Sequence, residues 1–282
     1  MQLLVSVRSA AEAKAAIAGG ADIVDAKEPD AGALGAVSID VLREIAAVVH
    51  ADLPLSAAIG DASDDAIVER TACAFAAAGV GFVKVGFAGV TSEARVAAFA
   101  SAAQRGVVAG SGGRCGVVLV GYADADPGAS VTAAALVEIA ARTGARGVLL
   151  DTAQKNGRGL RALFDRDTLR AFVARAHAAG LFAALAGKLT ANDLPFVRDL
   201  GADIAGVRGA ACEGGRTGRV TADRVRILRA LSAGDGLQAV PSESAEWEAR
   251  PEGRALPKNA VASIRSAATI VASTPGGSAR WK

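Results

Sequence analysis

The chain is poor in aromatic residues, 4% of 282, and has one methionine, one tyrosine and two histidines. Cysteine occurs three times, as Cys73, Cys115 and Cys212. The number is odd and the spacings are wide, so no disulfide framework and no zinc-ligand pair is written into the chain; the reduced thiols of a cytoplasmic protein are expected. His50 and His177 fall in helix-like segments and are expected to be ordinary structural or surface residues. With neither at a strand end, metal-dependent chemistry has little support, and no metal or cofactor is expected. No run approaches the ~18 apolar residues of a membrane span. The apolar start, MQLLVSV, is too short for a signal-peptide core and gives way at once to polar residues. Basic residues (31) nearly balance acidic ones (29), for a net charge of +2. There is no long basic run and no basic–aromatic alternation, so nucleic acid is not expected as a partner.

Lysine is the most telling scarcity. Of the 31 basic residues, the lysines are Lys14, Lys27, Lys84, Lys155, Lys188, Lys258 and Lys282; the rest are arginine. Lys27, Lys84, Lys155 and Lys188 each follow a hydrophobic, strand-like run: DIVDAK, FVK, GVLLDTAQK and LFAALAGK. Arginine keeps its proton at any working pH, whereas lysine loses it when buried near other cations. Lysine reserved for strand ends therefore points to amine chemistry.

What is abundant is alanine, glycine and aliphatic residues, with 51% of the chain hydrophobic. Eight short β-rich runs start at Leu3, Asp22, Pro54, Gly81, Gly116, Gly147, Leu181 and Asp203. Between them lie alanine-rich segments with helical spacing, several opening on Ser or Asp as an N-cap and closing on glycine. The phrases AGGADIVD, AAGVGFVKV, RTGARGVLLD and DLGADIAGV repeat this helix-to-strand passage. Eight such units predict one α/β domain, a single (β/α)8 TIM barrel over residues 1–233, with a last helix near Ala222–Leu231. Near-continuous apolar strands agree, since parallel strands are covered on both faces. Residues 234–282, richer in proline and holding both tryptophans, read as a C-terminal extension with one helical pattern, NAVASIRSAATIVA. A homo-oligomer is compatible with this organisation.

In such barrels chemistry gathers where the strands end. Asp25 and Lys27 are two residues apart, so both turn to the same side of their strand, toward the axis if Val24 and Ala26 face the helices. Lys84 alternates with Val83 and Val85 in the same way. Asp151 closes GVLLD, and Lys155 follows on the loop. One such lysine is usually a structural ion pair or a solvated loop residue. Together they are more, because a barrel mouth holds several charges only if they are paired or used. A lysine nucleophile must fall from ~10.4 to about 7–8, a change of about 4 kcal/mol. One further ammonium at about 4 Å supplies roughly that at an effective dielectric near 20. The turns after the seventh and eighth runs, AGKLT and GVRGAACEGGRTGR, read as an anion site. There Gly187, Gly209 and Gly214 would offer backbone N–H groups, and Lys188 and Arg208 positive charge. The expected partner is a small phosphorylated substrate.

These residues resemble the (5-formylfuran-3-yl)methyl phosphate synthase family. The resemblance lies in EAKAAIAGGADIVDAKEPDAGALGA, GFVKVGF, VGYADA, GVLLDTAQK and DIAGVRGAAC, in order from Leu3 to about Leu231. It implies a lyase on a class I aldolase-like barrel. Such an enzyme would condense two molecules of glyceraldehyde 3-phosphate into a furan aldehyde phosphate, with loss of phosphate and water. The product would feed a methanofuran- or methylofuran-type one-carbon carrier. The family's Schiff-base lysine matches Lys27, and its other functional positions match Asp25, Lys84, Asp151 and Lys155. Asp25 is then expected to move protons at the carbon bound to Lys27, Lys155 held by Asp151 to serve the second substrate, and Lys84 to oppose a charge on Lys27 or to bind phosphate. Two rivals stand beside this: another Schiff-base aldolase acting on a sugar phosphate, and a non-catalytic barrel that binds a phosphorylated metabolite.

Overall fold

The computed structural model describes residues 1–126, 128–154 and 156–234. Each strand-like run becomes a strand: β1 (Gln2–Val7), β2 (Ile23–Ala26), β3 (Leu55–Asp61), β4 (Phe82–Gly86), β5 (Gly116–Tyr122), β6 (Gly147–Asp151), β7 (Phe182–Leu185) and β8 (Ile204–Val207). All pair in parallel with the next, and β8 pairs with β1, closing an eight-stranded barrel. Around it run α1 (Ala10–Ala18), α2 (Ile39–Ala46), α3 (Asp65–Ala77), α4 (Glu93–Ser111), α5 (Ala133–Arg142), the short α6 (Leu160–Leu163), α7 (Arg166–Ala178), α8 (Leu194–Asp199) and α9 (Ala222–Ala233). The last helix runs two residues beyond the expected Leu231 and stops at Gly234, whose φ is 88°. The extension expected over 234–282 lies outside the described residues from 235 onward.

The helices start where side chains replace missing backbone partners. Ser9, Ser38, Asp64, Ser92, Thr132 and Asp165 each accept a hydrogen bond from an N–H in the first turn of the helix they open, as N-cap residues do. Gly79 shows why glycine follows the helix end in the repeated phrases. Its φ is 92° and no atom lies near its would-be Cβ, so backbone conformation and not space demands glycine. His50 falls in the turn beyond α2, not in a helix. The exposed His177, in α7, shares a 2.8 Å hydrogen bond with Asp203.

Strand periodicity sorts the core into two shells. Leu3, Val5, Val24, Ala26, Val83, Val85, Val117, Leu119, Val148 and Leu150 face outward and pack against the helices. Leu4, Ile23, Ala58, Val118, Val120, Leu149, Ala184 and Ile204 face inward and fill the barrel. At its N-terminal end Phe82 and Phe182 meet edge to face, 5.5 Å between centroids. Space for the Phe182 ring is left by Gly147, its cross-strand neighbour. A Cβ there would stand 2.4 Å from two ring carbons. Gly147→Ala is therefore expected to destabilise the barrel by about 1–3 kcal/mol through overpacking, read as a lower urea midpoint with an unchanged denaturant slope.

Candidate active site

Register decides the first contacts at the barrel mouth. Ser6 of β1 and Ser56 of β3 are the cross-strand partners of Asp25 on either side of β2. All three point inward at one level, so both hydroxyls reach the carboxylate. Ser6 Oγ donates to Oδ2 at 2.8 Å and Ser56 Oγ to Oδ1 at 2.7 Å. From β4, Lys84 Nζ donates to Oδ2 at 2.6 Å. Asp25 is 0% and Lys84 4% exposed. A charge so far from water survives only if paired and hydrogen-bonded, and here each is. The ammonium of Lys84 is thus matched by Asp25, and the pair presents little net charge to Lys27.

Lys27 follows β2 directly. Its N–H bonds Val7 O at 2.9 Å, which carries the strand's alternation one residue further. The side chain is buried, with Nζ 3.9 Å from Asp151 Oδ2 at the end of β6. That is an ionic contact, too long for a hydrogen bond. Asp151 is held in turn by the N–H of Thr152, 2.7 Å from Oδ1. Lys155, expected beside it, lies outside the described residues.

On the far rim Tyr122, cross-strand partner of Asp151, donates its hydroxyl to Asp61 Oδ1 at 2.8 Å. The contact passes over Gly86. A Cβ at that glycine would lie 2.2 Å from Asp61 Oδ1 and 2.6 Å from the Tyr122 oxygen. Burial first, then the charge and hydrogen bond of Asp61 and the charges of Asp151 and Asp124, push the Tyr122 pKa up. The phenol therefore stays neutral and serves as a donor. Asp124 accepts from the N–H groups of Ala153 and Gln154, at 2.6 and 2.7 Å, and so shapes the loop after β6.

The loop after β8 is more ordered than a plain glycine-rich turn. A 3-10 turn over Gly209–Ala211 leads into an antiparallel ribbon of β9 (Cys212–Glu213) and β10 (Arg219–Val220), with Gly214 in its turn at φ 80°. Arg208, read from sequence as an anion contact, lies beneath. Its Nε donates to Arg216 O. Its Nη1 donates to Ser6 O and Glu12 Oε2, and its Nη2 to Glu12 Oε1 and Gly218 O, at 2.7–3.2 Å. All five guanidinium N–H groups are engaged by protein oxygens, so Arg208 ties the loop down and offers no donor to an anion. Burial would raise the pKa of Glu12, but the hydrogen bonds and charge of Arg208, with the Arg8 N–H, hold it below the usual carboxylate value. Arg216 crosses to the loop after β2, where it donates to the carbonyls of Pro29 and Gly32.

On the other side, Gly187 takes φ 102°, and its missing Cβ lets the β7 end close on Thr152 Cγ2. Lys188 adopts φ 57° and donates from Nζ to Gly157 O at 2.5 Å. It leans over the loop after β6, beside a cavity of about 290 Å3 lined by residues 159–162, 187–189 and Asp193. Of the expected site residues, then, Asp25, Lys27, Lys84 and Asp151 share the mouth, Gly187 and Lys188 flank it, and Gly209 and Gly214 lie in the β8 loop. Sequence reading missed Ser6, Ser56, Asp61, Tyr122, Glu12 and Arg216. Only the two serines had a visible signal, a polar residue in an inward position of LLVSV and PLSAAIG. Among the described residues no helix is long and apolar enough to cross a membrane.

A family model described as 4-HFC-P synthase matches residues 3–229. The (5-formylfuran-3-yl)methyl phosphate synthase of Methanopyrus kandleri is 41% identical over 232 residues, 82% of this chain and 97% of that protein. That of Methanocaldococcus jannaschii is 38% identical over 234 residues, 82% and 99%. Among solved structures, KGPDC from Streptococcus mutans aligns with a TM-score of 0.60 at 12% identity, over 83% of this chain and 97% of that one. A 3-hexulose-6-phosphate synthase aligns at 0.55 with 23% identity, over 82% and 99%. At those identities the two structures speak for the fold alone.

Two stability measurements follow. Asp25→Ala leaves Lys84 buried without its carboxylate and is expected to lose about 3–5 kcal/mol in denaturant unfolding, with Asp25→Ala/Lys84→Met losing less than the two single changes summed. Because Arg208 depresses Glu12, that residue's stabilisation is complete above the ordinary value of 4.5 and falls away as pH drops through the lower folded value. Glu12→Gln should flatten that acid limb when urea midpoints are compared between about pH 7 and about pH 3.

Proposed function

The chain belongs to the 4-HFC-P synthase family and is an enzyme, and from that premise we propose that it makes (5-formylfuran-3-yl)methyl phosphate as a lyase working through a Schiff base on Lys27. The substrates are two molecules of glyceraldehyde 3-phosphate. Atom balance between them and the furan leaves one phosphate and two waters. The observation that carries the reading is Lys27 itself: a buried amine at the end of a barrel strand, 3.9 Å from a buried carboxylate.

In this mechanism one triose phosphate isomerises to the ketone, and Lys27 Nζ attacks its carbonyl carbon. The carbonyl oxygen leaves as water and an iminium remains, whose carbon is a strong electrophile. Asp151 is the group beside Nζ and serves as proton donor and acceptor while the carbinolamine forms and collapses. The second triose loses its C2 proton and expels the phosphate on C3, and the end carbon of the resulting enol attacks the iminium carbon and forms the new C–C bond, which gives the branched skeleton of the product. The hydroxyl of the first triose closes the ring on the carbonyl of the second, and loss of water and elimination of the Lys27 amine, which breaks its bond to the substrate, give the furan. Asp25 already accepts from Ser6, Ser56 and Lys84. We assign it to orienting Lys84, whose ammonium then polarises a substrate oxygen. Lys155 is retained as acid and base for the second triose, and Gly187 and Lys188 as phosphate contacts. Arg208, with all its donors engaged, is assigned to positioning the β8 loop.

The test is incubation with glyceraldehyde 3-phosphate alone, following a furan aldehyde chromophore and inorganic phosphate together. A reversible aldol product without phosphate would make the protein a different Schiff-base aldolase. Borohydride added during turnover should fix a triose adduct on Lys27, located by peptide mass. Lys27→Ala should form no adduct and no furan; an adduct that survives it would move the nucleophile to another lysine.

A further inference from the structure

Cations around the barrel mouth are matched to carboxylates: Lys84 to Asp25, Lys27 to Asp151, Arg208 to Glu12, Arg8 to Asp30. Lys188 and Arg216 differ. Among the described residues neither meets a carboxylate at ion-pair distance, and both donate to backbone carbonyls instead. Lys188 takes Gly157 O from above the loop after β6. Arg216 takes Pro29 O and Gly32 O from above the loop after β2.

Arg216 is half-buried, and its backbone packs on Gly209. Burial first and then the neighbouring Arg208 lower its pKa, against smaller opposing effects from Asp151, Asp30 and Glu28. Its charge is thus held at a cost that an incoming anion would relieve. The two carbonyls occupy two of its five N–H groups and hold the guanidinium still. The remaining three form a planar fork of the kind that meets phosphate oxygens in pairs. Pro29 lies two residues beyond Lys27, so this fork hangs over the loop that Lys27 begins.

We propose that Arg216 binds the phosphate of the triose joined to Lys27, while Lys188 and the cavity beside it take the phosphate of the second triose. The inference rests on the function proposed above and deepens it. Two phosphorylated substrates need two anion sites, and Lys188 and Arg216, both held by backbone carbonyls, lie over different loops; Arg158, which donates to Ala162 O, is a further such cation on the loop beside the Lys188 cavity. Arg208, the residue that sequence spacing favoured, has no donor to give.

The experiment compares wild type with Arg216→Gln, whose amide can keep one carbonyl bond. Adduct on Lys27 is trapped with borohydride over a range of dihydroxyacetone phosphate and, separately, of unphosphorylated dihydroxyacetone. The half-saturating concentration should rise about 10- to 100-fold for the phosphorylated ketone, the loss of one charge-assisted contact, and stay within about twofold for the other. An equal rise for both, or none for either, overturns the proposal. Inorganic phosphate supplies an arm independent of Lys27 chemistry. It should raise the melting temperature of wild type, and Arg216→Gln should lose a substantial part of that rise; an undiminished rise sinks the assignment even if no adduct forms on any variant. Should the glutamine variant fail to fold, Arg216→Lys, which keeps the charge without the fork, should show the same selective rise, reduced in size, and its absence counts against the proposal.

Discussion

Asp25 is wholly buried, and a carboxylate taken out of water keeps its charge only if the protein supplies what water did. Three groups supply it, and each comes from a different strand: Ser6 from β1, Ser56 from β3 and Lys84 from β4. Four consecutive strands are thereby locked in one register at the end where chemistry is proposed. The same strand places Lys27 two residues further on, so whatever holds Asp25 also aims the amine. The polar cluster is therefore structural and, in the proposed mechanism, catalytic at once: its members hold one another in place, and the proposed nucleophile sits on the most constrained strand.

The rim works differently. Several of its loops are tied by charged groups spent on backbone: Arg208 on Ser6, Arg216 and Gly218, Asp124 on Ala153 and Gln154, Arg216 on Pro29 and Gly32. A barrel closed by its own strands needs nothing from these loops, which leaves them to be shaped for substrate. Glycine marks where two of them must come close. Without a side chain at Gly86 the Tyr122–Asp61 bond can span β4, and without one at Gly187 the β7 end can close on Thr152.

Much of this was legible beforehand. The alternation of strand-like runs and alanine-rich helices announces the barrel, because period 2 and period 3.6 are local properties of the chain. The inward direction of Asp25, Lys27 and Lys84 follows from the same alternation. Pairing was not legible. Asp25 and Lys84 are 59 residues apart and Arg208 and Glu12 196 apart, and nothing in their neighbourhoods says which carboxylate meets which cation. Arg208 shows the limit well. Its place after a strand beside glycines suits an anion contact, and only its burial over Glu12 reveals that every donor is taken.

By itself, then, the sequence determined the fold, the end of the barrel where charge gathers, and through its motifs the family, since all of these rest on short-range periodicity and local residue order. Tertiary structure alone decided how the charges are shared: Asp25 with Lys84, Asp151 with Lys27, Glu12 with Arg208, and the Pro29 and Gly32 carbonyls with Arg216. The reason is that barrel closure and register bring together side chains far apart in the chain, and burial requires the charges that meet there to find partners.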